Sequence, residues 1–447
     1  MIEPKGIPDS SDLLKEARGS LRSSYSVAGS QVLKIVIQFV SVLALTRLFS
    51  PEDFGTIALA SLAVLVLELI RDQGLTSVLL ASPEANEAKI NRLGRRQLLM
   101  ASGGLIVMAI SGALLEMQGS YPGAWYVFLL MGLLPIVSAV QMPSTVSLTR
   151  SGKFRVQNVA DVFSYAAAFG SALALALSGS GLIALVALPL LSALIGLFVR
   201  FAFAPWPVIE KRNSEDTTHL QDKGRKVLAS NFLSLSAAYT DSITIAIQYS
   251  AFQLGGYNRI YQILVGSAGQ LVTSLGPLIL SALGKLRPHS VAMLKFSDFF
   301  IYRLGLPAAI LVGAAAPHTK FLLGLALGEA WVTFGMVFLF LAVAAVFQVL
   351  TYMATWLAMA TMSGKEILRT SGIAKVPAVI AIVASSPFGT EAVAGTLAAT
   401  QVVTWLVFSL SNAKVMKVKA FQTLLSGFIV ITTLGLVALL SFLFSSL

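Results

Sequence analysis

The sequence has no cysteine, only three histidines in 447 residues, and few charges, with 12% of its residues Asp, Glu, Lys or Arg. Each scarcity excludes something. Without cysteine there is no disulfide, no thiolate metal ligand and no thiol nucleophile. His219, His289 and His318 are scattered, so a histidine-built zinc site is not expected. The low charge leaves no room for a large soluble domain. A 56% hydrophobic composition and a mean hydropathy of +0.80 instead fit an all-α polytopic membrane protein. No GxxxxGK[ST], HExxH or nucleophile-elbow stretch occurs, so ATP-driven pumping and soluble-type hydrolysis have no support and the chain is read as no enzyme. No cofactor or metal is expected, apart from a coupling proton or sodium ion.

What is present is a long series of apolar segments. Spans read near 27–49, 55–80, 98–116, 124–146, 159–177, 181–203, 227–250, 256–283, 298–316, 331–361, 371–386, 391–411 and 422–445, thirteen in all. The first 25 residues form a polar tail without a cleavable signal pattern. Leu13, Leu14, Ala17 and Leu21 lie on one side of a short interfacial helix there. Basic residues cluster in alternate loops: Lys89, Arg92, Arg95 and Arg96; Arg150, Lys153 and Arg155; Lys365, Arg369 and Lys375; Lys414, Lys417 and Lys419. The opposite loops hold Lys320 beside Glu52, Asp53, Glu116, Glu329 and Glu391. This asymmetry puts the N-terminus in the cytoplasm. It also accounts for the net charge of +11 as a topology signal, not a nucleic-acid surface.

The mixed-charge connection 204–226 divides the chain into an N-terminal six-span lobe (26–203) and a C-terminal one (227–412), with one extra span in 413–447. The lobes echo one another. Phe54-Gly55 answers Leu254-Gly255, the Thr149 to Lys153 step answers Thr361 to Lys365, and Gly179 with Ala184 answers Gly389 with Ala394. Two pseudo-repeated six-helix lobes around a central cavity are a common transporter plan.

TRLFSPEDFGTIAL (Thr46 to Leu59), RDQGLTSVLL (Arg71 to Leu80), the SGKF step after span 4 and LGGYNRIYQILVGSAGQL (Leu254 to Leu271) resemble the polysaccharide (Wzx-type) flippases of the multidrug/oligosaccharidyl-lipid/polysaccharide exporter superfamily. The resemblance runs from about residue 24 to 412. It implies two bundles set in a V, although many members carry fourteen spans. It also implies a cargo, an undecaprenyl-diphosphate-linked oligosaccharide moved to the outer leaflet of the bacterial inner membrane. Membrane lipids and polysaccharide polymerase machinery are its expected partners, and a monomer is the expected state. NRLGRR (Asn91 to Arg96) resembles a loop of major facilitator transporters, with Glu87 and Asn91 where Gly and Asp belong, so a multidrug or small-solute antiporter is the alternative.

The few ionisable groups inside spans are the candidate site residues, because charge in hydrocarbon is costly unless it pairs or meets water. Lys34 lies seven residues past Val27, ~10 Å deep by helical rise. Ser30, Gln31, Gln38 and Ser41 share its face. It lines a wet cavity, snorkels to nearby headgroups, or pairs with Asp72, which lies at similar depth. Glu68, Arg71 and Asp72 are spaced for pairing on one helix face. Asp241, in a polar run with Ser230, Ser234, Thr244 and Gln248, reads as an ion-coupling group, a counter-ion or a neutral hydrogen-bonded acid. Arg259, Gln262 and Gln270 form one face of span 8, where the guanidinium either grips phosphate bidentately or snorkels outward.

Overall fold

The computed structural model describes residues 33–82, 85–119, 121–204, 217–286 and 290–445. The interfacial helix read in the first 25 residues, Ser30, Gln31, most of the 204–226 connection and the side chains of Ser230 and Ser234 lie outside the described residues. Every element described is helical. In chain order these are α1 (Leu33–Thr46), α2 (Pro51–Asp72), α3 (Glu87–Met117), α4 (Ala124–Arg150), α5 (Phe154–Leu177) and α6 (Leu182–Phe203). Then come α7 (Thr218–Ala238 continued by Thr240–Gln248), α8 (Ala251–Ser274, bent by 47° into Leu278–Gly284) and α9 (Ser290–Ala326). The chain ends with α10 (Glu329–Thr361), α11 (Gly364–Phe388), α12 (Thr390–Met416) and α13 (Ala420–Phe444). Each expected span thus contains helix. Ten of the helices are long and apolar enough to cross a membrane, or eleven if the bent pair in α8 is one span. The α7 helix falls outside that set, and its first turns carry His219, Asp222, Lys223 and Arg225.

Local chemistry sets several boundaries. Ser50 caps α2 in a reciprocal box with Asp53, and Pro51 occupies the first turn, where its missing N–H is not needed. The repeat of the Thr149 step is positional but not conformational. Gly152 is left-handed (φ 71°), whereas at the second site Ser363 caps α11 with Glu366 and Gly364 is already helical.

Three apolar cores show how the two lobes meet. At the face with acidic loops, one core is shared by both: Leu45, Phe54, Phe128 and Leu182 pack in the same cluster as Leu254, Tyr257, Trp331 and Val393. At the face with basic loops the core divides. Leu79, Leu93 and Met142 belong to one cluster, and Ile279, Met293, Trp405 and Phe408 to another. A shared core at one end and separate cores at the other make a V, as the resemblance implied. The start of α7 crosses over on the basic face, where Leu220 joins the N-lobe cluster.

Candidate substrate cavity

The apex of the V is closed by glycine. A Cβ at Gly55 would overlap the Ala251 carbonyl oxygen, and one at Gly255 would overlap that of Pro51. The glycines of the repeated motif therefore face each other across the pseudo-symmetry, allowing α2 and α8 to approach at backbone contact. Gly256 likewise gives its space to the Phe334 ring. Arg47 donates to the carbonyl oxygens of Leu325 and Ala326, adding a polar tie between lobes at this face.

Directly below lies a cavity of about 310 Å³, lined by Gln38, Phe54, Ser61, Tyr165, Asn258, Arg259 and Gln262 among others. Three of the five expected substrate residues, Gln38, Arg259 and Gln262, meet in it. Arg259 does not snorkel outward. It is buried and turned back into the lobe interface. Its Nε donates to Thr46 Oγ1 (2.8 Å), its Nη2 to Val42 O (2.8 Å) and its Nη1 to Gln262 Oε1 (2.8 Å), with the Phe54 ring 4.2 Å from Cζ. A planar, multiply donating cation suits this many acceptors in a dry interface. Gln262 opens a π-helical turn that ends at Gly266, an irregularity common at functional positions. Ser41 bonds the Tyr165 hydroxyl (2.9 Å), while Gln38 Oε1 is buried without a partner. Gln270 is exposed further along α8 and does not line this cavity.

Lys34 is half-buried, and its partner is Asp161 on α5 (3.8 Å), not Asp72. Of the alternatives open for Lys34, pairing with Asp72 is the one the structure overturns, because Asp72 is engaged locally. It accepts from Thr76 Oγ1 and from Gln97 Nε2 (3.3 Å). Glu68 accepts from Arg71 Nη2 at 2.7 Å as the spacing predicts, and Arg71 also reaches Gln97. Asp161 is shared, because Arg200 on α6 pairs with its other oxygen. The Arg200 Nε is buried without a partner. A Cβ at Gly196 would fall 2.8 Å from its Nη1, so glycine makes the notch that admits the guanidinium. Lys34, Arg200 and Asp161 together leave one positive charge in excess. Depth was the available signal for Asp161: it lies seven residues past Phe154, ~10 Å by helical rise, matching Lys34.

A polar ladder therefore runs along the N-lobe wall to the apex, where the C-lobe supplies its last rung. Its first rung is Lys34–Asp161–Arg200, its middle Gln38, Ser41 and Tyr165, and its last Arg259 with Gln262. Lys34 and Thr46, the helical positions beside the first and last rungs, are twelve residues apart, ~18 Å. Asp241 is outside this ladder, in the C-lobe, buried and accepting from the Tyr257 hydroxyl at 2.6 Å.

A family model described as "Polysaccharide biosynthesis protein" matches residues 44–334. The chain belongs to this family. A curated relative of this family member, the succinoglycan biosynthesis transport protein ExoT of Rhizobium meliloti (strain 1021), is 30% identical over 175 residues. That match covers 38% of this chain, which thus spans about a third (35%) of the relative's length. Among solved structures, the lipid II flippase MurJ in an inward closed conformation superposes with a TM-score of 0.65 at 10% identity, over 92% of this chain and 97% of that one. An inward-facing multidrug resistance MATE transporter of the MOP superfamily gives 0.60 at 12% identity, over 88% and 98%. At such identities the likeness is one of fold, and this polysaccharide biosynthesis protein shares with both an all-helical, two-lobed architecture.

Proposed function

We propose that the protein flips an undecaprenyl-diphosphate-linked oligosaccharide from the cytoplasmic to the outer leaflet of the bacterial inner membrane, by alternating access of its two lobes and without catalysing a reaction. The observation that carries this reading is the cationic ladder on one wall of a V that opens toward the basic loops. Basic loops mark the cytoplasmic side, so the V faces the leaflet where such a cargo is loaded and the N-terminus lies on that side. The Lys34–Asp161–Arg200 rung, one charge in excess, receives the diphosphate first. Arg259 and Gln262 receive it at the apex, where the Gly55–Gly255 contact must part for release. The isoprenoid tail stays in lipid. Moving one charge through the membrane potential is worth ~2.3 kcal/mol per 100 mV, so a headgroup of about two negative charges gains roughly twice that on going outward. A coupling proton or sodium ion at Asp241 is compatible with this scheme but not needed for direction. The protein acts as a monomer that hands cargo to polymerase machinery.

The experiment is complementation of a flippase-deficient strain with the wild type and with Lys34→Gln, Arg200→Gln and Gln262→Ala variants inserted at wild-type levels. Export restored by the wild type and lost in the two charge variants supports the proposal. Failure of the wild type to restore polymer, together with drug resistance conferred on the host, assigns the fold to multidrug antiport instead.

A further inference from the structure

A second polar site lies far from the ladder, where α9, α10, α12 and α13 meet near the basic face. Asp298 lies on α9, ~12 Å from its start by helical rise. Thr423 and Ser426 sit within about two turns of the start of α13, and Ser409 and Asn412 within about two turns of the end of α12. These positions converge at one depth around a space of about 10 Å³ lined by Ser297, Asp298, Ser409, Asn412 and Thr423. That is room for one water-sized occupant.

Two oxygens here, Asn412 Oδ1 and Ser426 Oγ, are buried without a hydrogen-bond partner, while Thr423 Oγ1 donates to Ala420 O at 2.9 Å. Asn412 is fully buried. Its Nδ2 donates to Ala354 O at 2.8 Å, which fixes the amide orientation and leaves Oδ1 unpartnered. Ser426 is also buried, and its Oγ points at the Asp298 carboxyl without making a hydrogen bond of ordinary geometry. Among the described residues Asp298 has no ion pair. On its own helix Lys295 is exposed, and Arg303 is exposed and lies over the Phe299 ring at 5.2 Å. Tyr302 carries no charge at neutral pH. On α12 the nearest charge, Lys414, is exposed at the helix end, and α13 carries no charged residue within the helix. The site is closed by close packing. A Cβ at Gly427 would overlap the Trp405 ring, so glycine lets α13 lie directly on α12.

We propose that the pocket formed by Asp298, Asn412, Thr423 and Ser426 holds one sodium-sized monovalent cation that fastens α13 to α9 and α12. One carboxylate with neutral amide and hydroxyl oxygens is a hard donor set, and its single negative charge matches a single positive one. The described residues hold no group of three or more His, Asp or Glu that would favour a divalent or transition metal. The cation neutralises an acid that would otherwise be unpaired inside the membrane and satisfies the orphaned Asn412 and Ser426 oxygens. It enters from the basic face, and this inference is independent of which cargo the ladder carries.

The test is thermal unfolding of the full-length protein in nanodiscs, titrated with NaCl against choline chloride at constant ionic strength, alongside direct binding of radioactive sodium. Sodium is expected to raise the midpoint of the wild type. Asp298→Asn and Thr423→Val should weaken the apparent sodium affinity at least roughly tenfold, the scale on which altered ligand shells act. Glu116→Gln, at an exposed acid on α3, should retain the response. No sodium-specific shift in the wild type, or an undiminished shift in Asp298→Asn or in Thr423→Val, would overturn the assignment. Should Asp298→Asn fail to fold, Thr423→Val, which keeps the carboxylate, decides alone.

Discussion

Gly55 and Gly255, two hundred positions apart in the chain, face each other where α2 crosses α8, and neither has space for a single carbon more. The atoms in the way are backbone carbonyl oxygens of Ala251 and Pro51, which cannot rotate aside as a side-chain tip can. Gly255→Ala must therefore push the helices apart. Overpacking of this kind costs about 1–3 kcal/mol, which shifts a two-state equilibrium by roughly 5–150-fold. With a cysteine installed at Ser61, which lines the cavity below, an impermeant thiol reagent added from the outer side should label the Gly255→Ala variant faster than the parent. Gly103→Ala, where an added carbon meets nothing within 4 Å, is the control. Equal labelling in both backgrounds would mean this contact is not the outer gate.

Asp161 holds two cations, and removing it should cost more than removing it together with one of them. Asp161→Asn leaves Lys34 and Arg200 facing each other without an acid. The double variant Lys34→Gln, Asp161→Asn relieves that repulsion. Couplings between contacting residues are about 0.5–3 kcal/mol, and solvent reaching half-buried Lys34 puts this one toward the low end. Thermal midpoints of the four proteins in the cycle give the sign. A double variant no more stable than the additive sum would show that Lys34 does not rely on Asp161.

Much of the fold was legible because hydropathy and loop charge report directly on burial in lipid and on topology, and because the Phe54-Gly55 and Leu254-Gly255 echo marked the pair of helices that touch. The site was legible in part, for a reason the residues make clear. Gln38, Arg259 and Gln262 each sit on a polar helical face, a local pattern, and all three reach the cavity. The Lys34 partner required knowing that α1 lies beside α5, a tertiary fact: depth alone permits both Asp72 and Asp161, and only the local bonds from Thr76 and Gln97 remove Asp72 from the choice. Arg200 was not a candidate, because sequence does not show the notch at Gly196 that admits its guanidinium. Asp298 drew no reading at all, since its oxygen neighbours come from α12 and α13, more than a hundred residues away.

The Asp241–Tyr257 bond is buried on both sides, so its donor is not replaceable by water. Tyr257→Phe should lower stability by about 1–3 kcal/mol, the usual cost of leaving a buried group unsatisfied. If Asp241 also couples an ion, export in the Asp241→Asn variant should no longer respond to collapse of the proton or sodium gradient. Unchanged ion dependence in that variant would confine Asp241 to a structural role.

Arg259 has two separable duties in this scheme. Its bonds to Thr46 Oγ1 and Val42 O tie the lobes together at the apex, and its guanidinium is the outermost cation available to a diphosphate. Thr46→Val removes one tie but leaves the charge. Arg259→Met removes every tie and the charge at similar side-chain length. If the arginine only fastens the lobes, the two variants should differ in export only as the bonds lost dictate, at about 1.5–3 kcal/mol for each hydrogen bond to a charged group, and Arg259→Met should open the outer side further than Thr46→Val does. If it also grips cargo, Arg259→Met should lose export almost wholly, while Thr46→Val keeps most of it and opens the outer side more readily to the reagent at residue 61. Arg259→Lys sharpens the distinction, because an ammonium keeps the charge without the planar fork. Partial export in that variant would assign the arginine's contribution to charge, and none would assign it to bidentate geometry.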